Sequence, residues 1–411
     1  MGFGSPQFLT QFLTGKDRLV RGAFVLLMSL FFTSCLPGET NTKKFSVRRI
    51  RSNQNQKPGD TSPIPPGGQI CSLSSPQVYA LTQNSVTNSK EKGPGSLSVF
   101  LLEKVDDAAN IKVTVLAEKN LTALPQSGEI SADGNQYGWT TQSNGGKFNA
   151  LPIVNSQKYS LGNSDFIADV ATPISVTQNS TGLFATSWNN GVDGYYEFST
   201  PIAPSANAML NRTDAGPHDV KAVNEKYNLV ANWSSHTVQL VRSTDHAILH
   251  TLTIPGNQPA PRWIKQVDES HFIIVGQRGV LAYISLQNEK LTVLDTLELK
   301  LAISNLDIDP RTGAMVATFG STAIEYPSSG VLVTKITDGK FSPPVTHAMG
   351  TGLRDVLYLE DGVFVVGEIK SELIYFRLDS ALIPTKMFSV PVNGAEVSLS
   401  KFQKKICMDS D

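Results

Sequence analysis

The chain has 411 residues, and its 35 basic and 36 acidic side chains give a net charge of −1. This near balance excludes the broad basic surface that nucleic-acid binding requires. Hydrophobic residues make up 40 % of the chain, which is enough for a sizeable core, while charged residues make up only 17 %. Such a composition favours turns and polar strand faces over charged helices.

Residues 1–34 have the pattern of a secretory signal peptide. Three basic residues between positions 16 and 21 precede the apolar run GAFVLLMSLFF, which ends at Phe32. That run is shorter than the about 20 apolar residues that a membrane-spanning helix needs. The stretch FTSC that ends at Cys35 resembles a bacterial lipobox, although Phe32 stands where that pattern prefers an aliphatic residue. The alternative is an ordinary signal peptide that is followed by an unrelated cysteine.

The lipobox resemblance implies that Cys35 carries acyl chains, palmitate among them, and becomes the N-terminus of the mature protein. Because Leu36 rather than Asp follows, it also implies the outer membrane, at its periplasmic or surface face. Each buried CH₂ group contributes about 0.8 kcal/mol, so we expect a protein that is anchored to the membrane without spanning it. Residues 35–69 hold few apolar side chains, and we expect them to form a flexible linker.

Cys71 and Cys407 remain once Cys35 is assigned to lipid. An even pair of cysteines in an oxidising compartment predicts a disulfide, here between the start and the end of the body. In the chain-entropy model such a long loop contributes about 5 kcal/mol. The alternative is two buried free thiols. The sequence has neither a CxxC pair nor a Cys/His cluster, so it predicts no structural zinc site.

Residues 70–411 predict one all-β domain, because short strand-like runs recur between Gly, Asn, Asp, Ser and Pro. A unit of four strands repeats with a spacing of roughly 40–50 residues, which is the period of a propeller blade. Clear copies cover residues 216–254, 260–299, 304–345 and 352–390, and weaker ones begin near Pro173, near Leu121 and at residue 69. The sequence therefore predicts a seven-bladed β-propeller. Two β-sandwiches in tandem are the alternative.

The segment after Pro391 looks like the first half of one more blade. We expect the N-terminal and C-terminal strands to pair within one blade and to close the propeller, because this leaves no open sheet edge. The same closure would bring Cys71 and Cys407 together.

The unit that begins at Gly216 resembles the repeat of bacterial surface propellers with the YVTN signature. Pro217-His218, Val230-Ala231-Asn232 and Thr237-Val238 carry the match, which extends over residues 216–392. The resemblance implies the architecture. Propellers of this kind include lactonases, cofactor-binding proteins and interaction scaffolds, so function does not transfer with the fold, and no set of lactonase catalytic residues carries over.

The blade starts place polar side chains around the mouth of the central channel when Val220, Ile264, Ile308 and Val356 are aligned. The candidate binding residues are His218, Arg262, Arg354, Asp219, Asp307 and Asp355. The arginines would offer planar, bidentate donors to an anionic group, and a histidine near an acid would act as a general base. The alternative is that these residues cap turns and join adjacent blades by ion pairs.

Three tryptophans, Trp139, Trp188 and Trp233, follow apolar strands at similar offsets. They predict either an exposed platform for a sugar or peptide, or packing between blades. Asp307 and Asp309 alternate, but calcium-loop spacing is absent, and we expect no metal. The motifs GxSxG, HExxH, GxxxxGK[ST] and a strand-linked GxGxxG are absent as well, so we expect no cofactor and identify no catalytic residue.

These features predict a membrane-anchored lipoprotein of the cell envelope whose propeller is an interaction or scaffold module for a protein or glycan partner. A lactonase-like or other small-molecule hydrolase that acts at the channel mouth is the alternative. An assembly platform of the outer membrane, with a fixed partner, is a third hypothesis.

Overall fold

The computed structural model describes residues 77–401 with gaps at 85, 88–90, 93–94, 105–110, 122–124, 132, 142–145, 157, 164, 171, 179–181, 189–192, 203–208, 321–326, 369–371 and 393–394. Cys35, Cys71 and Cys407 lie outside these residues, as do the predicted signal peptide and linker, so lipidation and the disulfide stay predictions. Within the described ranges, no helix has the length and apolar character needed to cross a membrane.

The described residues form β-strands throughout. In chain order the first fourteen strands are β1 (Gln77–Asn84), β2 (Val86–Thr87), β3 (Glu91–Lys92), β4 (Ser96–Lys104), β5 (Ile111–Asn120), β6 (Pro125–Ile130), β7 (Gln136–Thr141), β8 (Lys147–Ser156), β9 (Lys158–Leu161), β10 (Asp165–Asp169), β11 (Pro173–Gln178), β12 (Gly182–Ser187), β13 (Gly194–Ser199) and β14 (Leu210–Arg212).

The strands that follow include the inner strands of four further blades and the last strand of the described chain. They are β15 (Pro217–Ala222), β16 (Tyr227–Asn232), β17 (Thr237–Arg242), β18 (Ile248–Thr253), β19 (Pro261–Gln266), β20 (His271–Gly276), β21 (Val280–Gln287), β22 (Lys290–Glu298), β23 (Ala302–Ile308), β24 (Ala314–Gly320), β25 (Ser329–Thr337), β26 (Lys340–Phe341), β27 (Val345–Ala348), β28 (Val356–Glu360), β29 (Val363–Glu368), β30 (Glu372–Leu378), β31 (Pro384–Pro391) and β32 (Ala395–Lys401).

These strands build seven antiparallel blades, each listed here from its inner strand outwards. They are blade 1 (β32-β1-β4-β5), blade 2 (β6-β7-β8-β10), blade 3 (β11-β12-β13-β14), blade 4 (β15-β16-β17-β18), blade 5 (β19-β20-β21-β22), blade 6 (β23-β24-β25-β27) and blade 7 (β28-β29-β30-β31). The short strands β9 and β26 pair beside β8 and β25, and β2 pairs with β3. The prediction of an all-β, seven-bladed propeller is confirmed, and the tandem-sandwich alternative is wrong.

The ring closes as expected, through blade 1. The C-terminal strand β32 pairs antiparallel with β1, with Leu399 opposite Leu81, and β32 is the inner strand of this blade. Each inner strand contacts the inner strands on either side, so that β32 touches both β28 and β6. Closure within one blade leaves no unpaired sheet edge at the point where the two ends of the chain meet.

The hydrophobic core is divided among the seven interfaces between adjacent blades. Each interface holds its own cluster of buried side chains, for example Leu229 of blade 4 with Phe272 of blade 5, and Tyr79 of blade 1 with Tyr375 of blade 7. The second strand of a blade is covered on both faces, which is why its sequence is a nearly continuous apolar run such as VFVVGE in β29. A single blade cannot bury both of its faces, and the closed ring provides that burial.

Candidate functional site

The inner strands share a local geometry at one end of the ring, which we call the entry end because these strands begin there. Pro217 pairs with Asn232, whereas Asp219 pairs with Ala231, so His218 is the extra residue of a β-bulge. Proline is tolerated at the start of a strand, and a bulge turns its neighbouring side chain to a new direction. Bulges follow the first proline of blades 2, 3 and 5 in the same way.

The three predicted basic residues lie at one level of the channel. Arg262 is the bulged residue of blade 5, equivalent to His218. Thr318 Oγ1 donates a hydrogen bond to the Arg354 carbonyl at 3.2 Å, as Thr186 Oγ1 does to the His218 carbonyl at 3.4 Å. These matching bonds put Arg354 of blade 7 at the same level as His218.

Blade 6 corrects the predicted alignment. Its bulge lies between Ile303 and Asn305, so Leu306, and not Ile308, corresponds to Val220. Asn305 occupies the position of Asp219 and Asp355, while Asp307 lies two residues further along the channel. Alternating strands look alike after a shift of two residues, because side chains repeat with period two, and only the pairing with β24 resolves the register.

The three predicted acids bond to the backbone of the next blade. Asp219 Oδ2 accepts a hydrogen bond from Ile264 N at 2.7 Å, Asp307 Oδ2 from Tyr358 N at 2.7 Å, and Asp355 Oδ2 from Leu399 N at 2.9 Å. They therefore join adjacent blades, but mainly through backbone amides rather than through the expected ion pairs. One ion pair, Lys265 Nζ to Asp307 Oδ1 at 4.0 Å, crosses from blade 5 to blade 6.

Burial shifts the protonation of the acids in the channel. It raises the pKa of Asp219 to about 6, against the hydrogen bond from Ile264 N and the charges of Lys265 and Lys221. Burial also raises the pKa of Glu129 to about 7. Protein surrounds this side chain, although it keeps some contact with solvent. Burial also raises the pKa of Asp355, against the charge of Lys265.

Glu129, Lys221 and Lys265 were missed by sequence reasoning. They occupy the channel level of Asp307, one residue beyond the position of Val220 in their own strands. The signal was present in blades 4 and 5, where a lysine follows the aligned aliphatic residue. In blade 2 it was hidden, because Gly128 replaces that aliphatic residue.

The basic residues at the mouth pack around Trp263. The His218 ring meets the Trp263 ring edge to face at 5.0 Å, and the Arg262 guanidinium carbon lies 5.5 Å from the Trp263 centroid. Burial and the charge of Arg262 lower the pKa of His218 well below its ordinary value, so the imidazole is neutral at pH 7. Burial lowers the pKa of Arg262 to about 10, which leaves it charged.

Among the residues that the structure describes, three buried polar atoms at this mouth have no hydrogen-bond partner: His218 Nδ1, Asp219 Oδ1 and Arg262 Nε. A buried polar atom left without a partner costs about 1–3 kcal/mol, so their grouping on adjacent blades is a feature to explain. Among the described residues, no carboxylate lies within ion-pair distance of His218, Arg262 or Arg354. The mouth therefore offers unpaired cationic donors and a neutral imidazole.

The three predicted tryptophans lie in two different environments. Trp139 is fully buried in the cluster between blades 1 and 2, so it packs between blades. Trp188 and Trp233 are half-buried and contact each other, with ring centroids 5.0 Å apart. Among the described residues, no three His, Cys, Asp or Glu side chains group as metal ligands would.

Solved structures resemble this fold at low sequence identity. No protein-family model matches the chain, and no curated protein matches it. A Bacteroides fragilis NCTC 9343 protein, provisionally named a 6-phosphogluconolactonase, superposes with a TM-score of 0.64 and 14 % identity, covering 80 % of this chain and 99 % of that chain. A Bacteroides uniformis ATCC 8492 protein with the same provisional name superposes with a TM-score of 0.64 and 12 % identity, and the match covers 80 % of this chain and 99 % of that chain.

A third similar structure is a protein of unknown function from Desulfotomaculum acetoxidans DSM 771. It has a TM-score of 0.54 and 12 % identity, and the match covers 78 % of this chain and 100 % of that one. Identities this low establish the propeller fold and nothing about activity.

Proposed function

We propose that this chain is a lipoprotein of the cell envelope, anchored through Cys35, whose propeller binds a partner as an interaction module. One observation carries the proposal: the large exposed apolar side chains of the described residues all lie on, or directly before, outer strands. They occur once per blade in five consecutive blades, and we call them the outer-rim row: Met209, Ile248, Leu294, Val345 and Ile383.

The outer-rim row differs from the scattered apolar residues that any surface carries. Met209 is 74 % exposed and the other four are between 43 % and 53 % exposed, each on or directly before the outer strand of its blade. An outer strand also has unpaired backbone N–H and C=O groups along its free edge. Apolar side chains beside free edges are typical of protein-binding surfaces. The use of Asp219, Asp307 and Asp355 in blade-to-blade bonds also favours a frame over a reaction centre.

Membrane anchoring is tested separately from partner binding. We expect the full chain, expressed in a bacterial host, to incorporate labelled palmitate and to sediment with membranes. Cys35→Ser should abolish both palmitate incorporation and sedimentation with membranes, because the lipid is attached through the cysteine sulfur. A Cys35→Ser protein that still sediments with membranes after a salt wash would contradict the anchor.

Partner binding is tested on the outer-rim row by crosslinking and mass spectrometry. We expect a reproducible partner for the full chain, and its loss in Ile248→Lys/Val345→Lys, because both side chains are exposed and the substitutions should leave folding intact. The matched control is Asn120→Lys/Ser160→Lys, which adds the same charge at exposed positions of blades 1 and 2. If the two double variants behave alike, the outer-rim row is not the interface.

A second candidate is a small-molecule hydrolase at the channel mouth. The specific observation in its favour is the neutral His218, whose Nδ1 lacks a partner and could accept a proton, beside the charged Arg262. A panel of lactones separates the two candidates. Turnover that His218→Ala abolishes would favour the hydrolase, whereas the interaction proposal predicts no turnover above the uncatalysed rate.

A further inference from the structure

Two half-buried indoles form a fixed pair at the entry end of the ring. Trp188 N donates to the Thr172 carbonyl at 3.1 Å and Trp233 N to the Gly216 carbonyl at 2.7 Å, and both carbonyls belong to segments that lead into inner strands. The two ring centroids are 5.0 Å apart, with the planes tilted by 43°. The pair therefore lies on the same end of the molecule as the mouth.

The indole pair is connected to the blade that carries Arg262. Trp233 Nε1 donates to Gln277 Oε1 at 2.8 Å, and Gln277 N donates to the Ala260 carbonyl at 3.0 Å. Ala260 lies two residues before Arg262. This short chain of hydrogen bonds holds the Trp233 ring in one orientation beside the start of the blade 5 inner strand.

The surroundings of Arg262 are also held by hydrogen bonds. Trp263 Nε1 donates to the Ser304 carbonyl at 2.7 Å, which fixes the ring over which the Arg262 guanidinium lies. Within the described part of the chain, Arg262 Nε and His218 Nδ1 are buried without partners, and Arg354 is exposed at the same level. Buried polar atoms without partners, held in a frame that is otherwise hydrogen-bonded, are typical of a ligand-binding site.

The chemistry of the two features selects the ligand. Indole faces accept flat, largely apolar surfaces, such as the C–H face of a pyranose ring, and leave the polar edges of that ring free to bond. Arginine pairs bind carboxylates through planar, two-pronged hydrogen bonds. A ligand with both groups in one molecule is a sugar that carries a carboxylate.

We propose that the entry end binds an acidic oligosaccharide, with sugar rings against Trp188 and Trp233 and a uronate carboxylate between Arg262 and Arg354. This inference goes beyond the proposed interaction function, because it names a second binding site and the ligand class that this site takes. The site is separate from the outer-rim row, so the two can fail independently.

The test measures binding of purified, full-length protein to defined hexasaccharides by calorimetry and tryptophan fluorescence. We expect saturable binding of galacturonate or glucuronate hexasaccharides with a change in indole emission, and at least about tenfold weaker binding of a neutral glucose hexasaccharide. Absence of saturable binding to both acidic hexasaccharides overturns the proposal. Equal competition by inorganic phosphate also overturns it, since it would show a simple anion site.

Two variants test the carboxylate-binding part and the sugar-binding part of the site separately. Arg354→Gln should weaken acidic binding about tenfold without affecting folding, because the side chain is exposed. Trp188→Ala should weaken the binding of the acidic and neutral hexasaccharides alike and reduce the change in indole emission. The matched control is Arg311→Gln, an exposed arginine in the turn after β23, at the other end of the ring. If Arg354→Gln binds like Arg311→Gln, the carboxylate site is wrong.

The same variants keep this inference distinct from the proposed function. Arg354→Gln should still capture the partner of the outer-rim row, and Ile248→Lys/Val345→Lys should still bind the acidic hexasaccharides. Loss of saccharide binding in the outer-rim variant would contradict a separate site at the entry end.

Discussion

Two parts of the ring join adjacent inner strands by the same hydrogen bond to a backbone amide, but the accepting side chain differs. At the position of Asp219, blades 1 and 2 carry Ser398 and Ser127, whose hydroxyl oxygens accept the backbone amide of the next inner strand at 3.2 Å and 3.1 Å. In blades 4 and 7, Asp219 and Asp355 accept the equivalent amides at 2.7 Å and 2.9 Å. Charge-assisted bonds are shorter and stronger than neutral ones.

The difference shows what the carboxylates add. A serine joins two blades and does not titrate, whereas a buried aspartate joins them more tightly and makes the contact depend on pH. His218, Arg262 and Arg354 all lie in blades 4–7, the half with carboxylates. In blades 1 and 2 a neutral serine makes this contact between inner strands, whereas in blades 4 and 7 a carboxylate makes it beside the candidate site.

Asp355→Ala should have the largest effect on stability. The carboxylate accepts bonds from Leu399 N at 2.9 Å, Val356 N at 2.8 Å and Asn305 Nδ2, and all three donors would lose their acceptor. We expect the free energy of unfolding to fall by about 4 kcal/mol, measured by urea denaturation. Asp355→Asn, which keeps one acceptor oxygen, should cost less. An effect of Asp355→Ala below about 1 kcal/mol would show that this contact does not hold β32 in place.

Glu129→Gln should change the pH dependence of stability. The pKa of Glu129 is raised from 4.5 to about 7 in the folded state, so the folded protein holds a proton that the unfolded chain releases in this window. The free energy of unfolding that this proton contributes is complete below pH 4.5 and is lost as the pH rises through 7.

Relative to the wild type, Glu129→Gln should therefore gain stability between pH 5 and pH 8, by at most about 3 kcal/mol. Urea titrations across that range measure the difference. The lowered pKa of His218 changes the free energy of unfolding in the opposite direction as the pH rises. Because His218 is present in both proteins, its contribution cancels in the difference. Exposed Glu269→Gln is the control and should follow the wild-type curve. Parallel curves for Glu129→Gln and the wild type would contradict the raised pKa.

Gly128→Ala should destabilise blade 2, although the equivalent residue in blade 4 is Val220. A Cβ at position 128 would overlap the buried Tyr137 ring and hydroxyl, and such overpacking costs about 2 kcal/mol. Thermal or urea unfolding measures the loss. Gly320→Ala is the control, because the nearest atom of the described residues to its Cβ would be the Ser328 carbonyl oxygen at 3.8 Å. Similar effects at both glycines would mean that Tyr137 moves aside freely.

Ser127→Ala should have the smallest effect, about 1 kcal/mol, because it removes one neutral hydrogen bond to Val176 N. Urea denaturation beside Asp355→Ala gives the contrast between the two parts of the ring directly. If Ser127→Ala costs as much as Asp355→Ala, charge adds nothing to the bond between blades.

The class of fold, the number of blades and the closure through β1 and β32 could all be predicted from the sequence. Within a blade, most strands pair with the next strand along the chain, so the period and the turns of the blades appear in the sequence. The closure follows because the segment after Pro391 looks like half a blade that needs a partner strand. Roles for Cys35, Cys71 and Cys407 follow from sequence alone and stay predictions.

The tertiary structure alone decided the register of blade 6, the channel position of Glu129, and the use of Asp219 and Asp355 as acceptors for the next blade. The acceptor roles of the two aspartates depend on backbone amides 45 and 44 residues further along the chain. The register of blade 6 and the channel position of Glu129 depend on where the bulge falls in the pairing with the second strand of the blade, which no local pattern reports. The outer-rim row and the unpaired atoms of His218 and Arg262 were decided in the same way. Exposure and hydrogen-bond satisfaction are set by what the closed ring brings alongside each side chain.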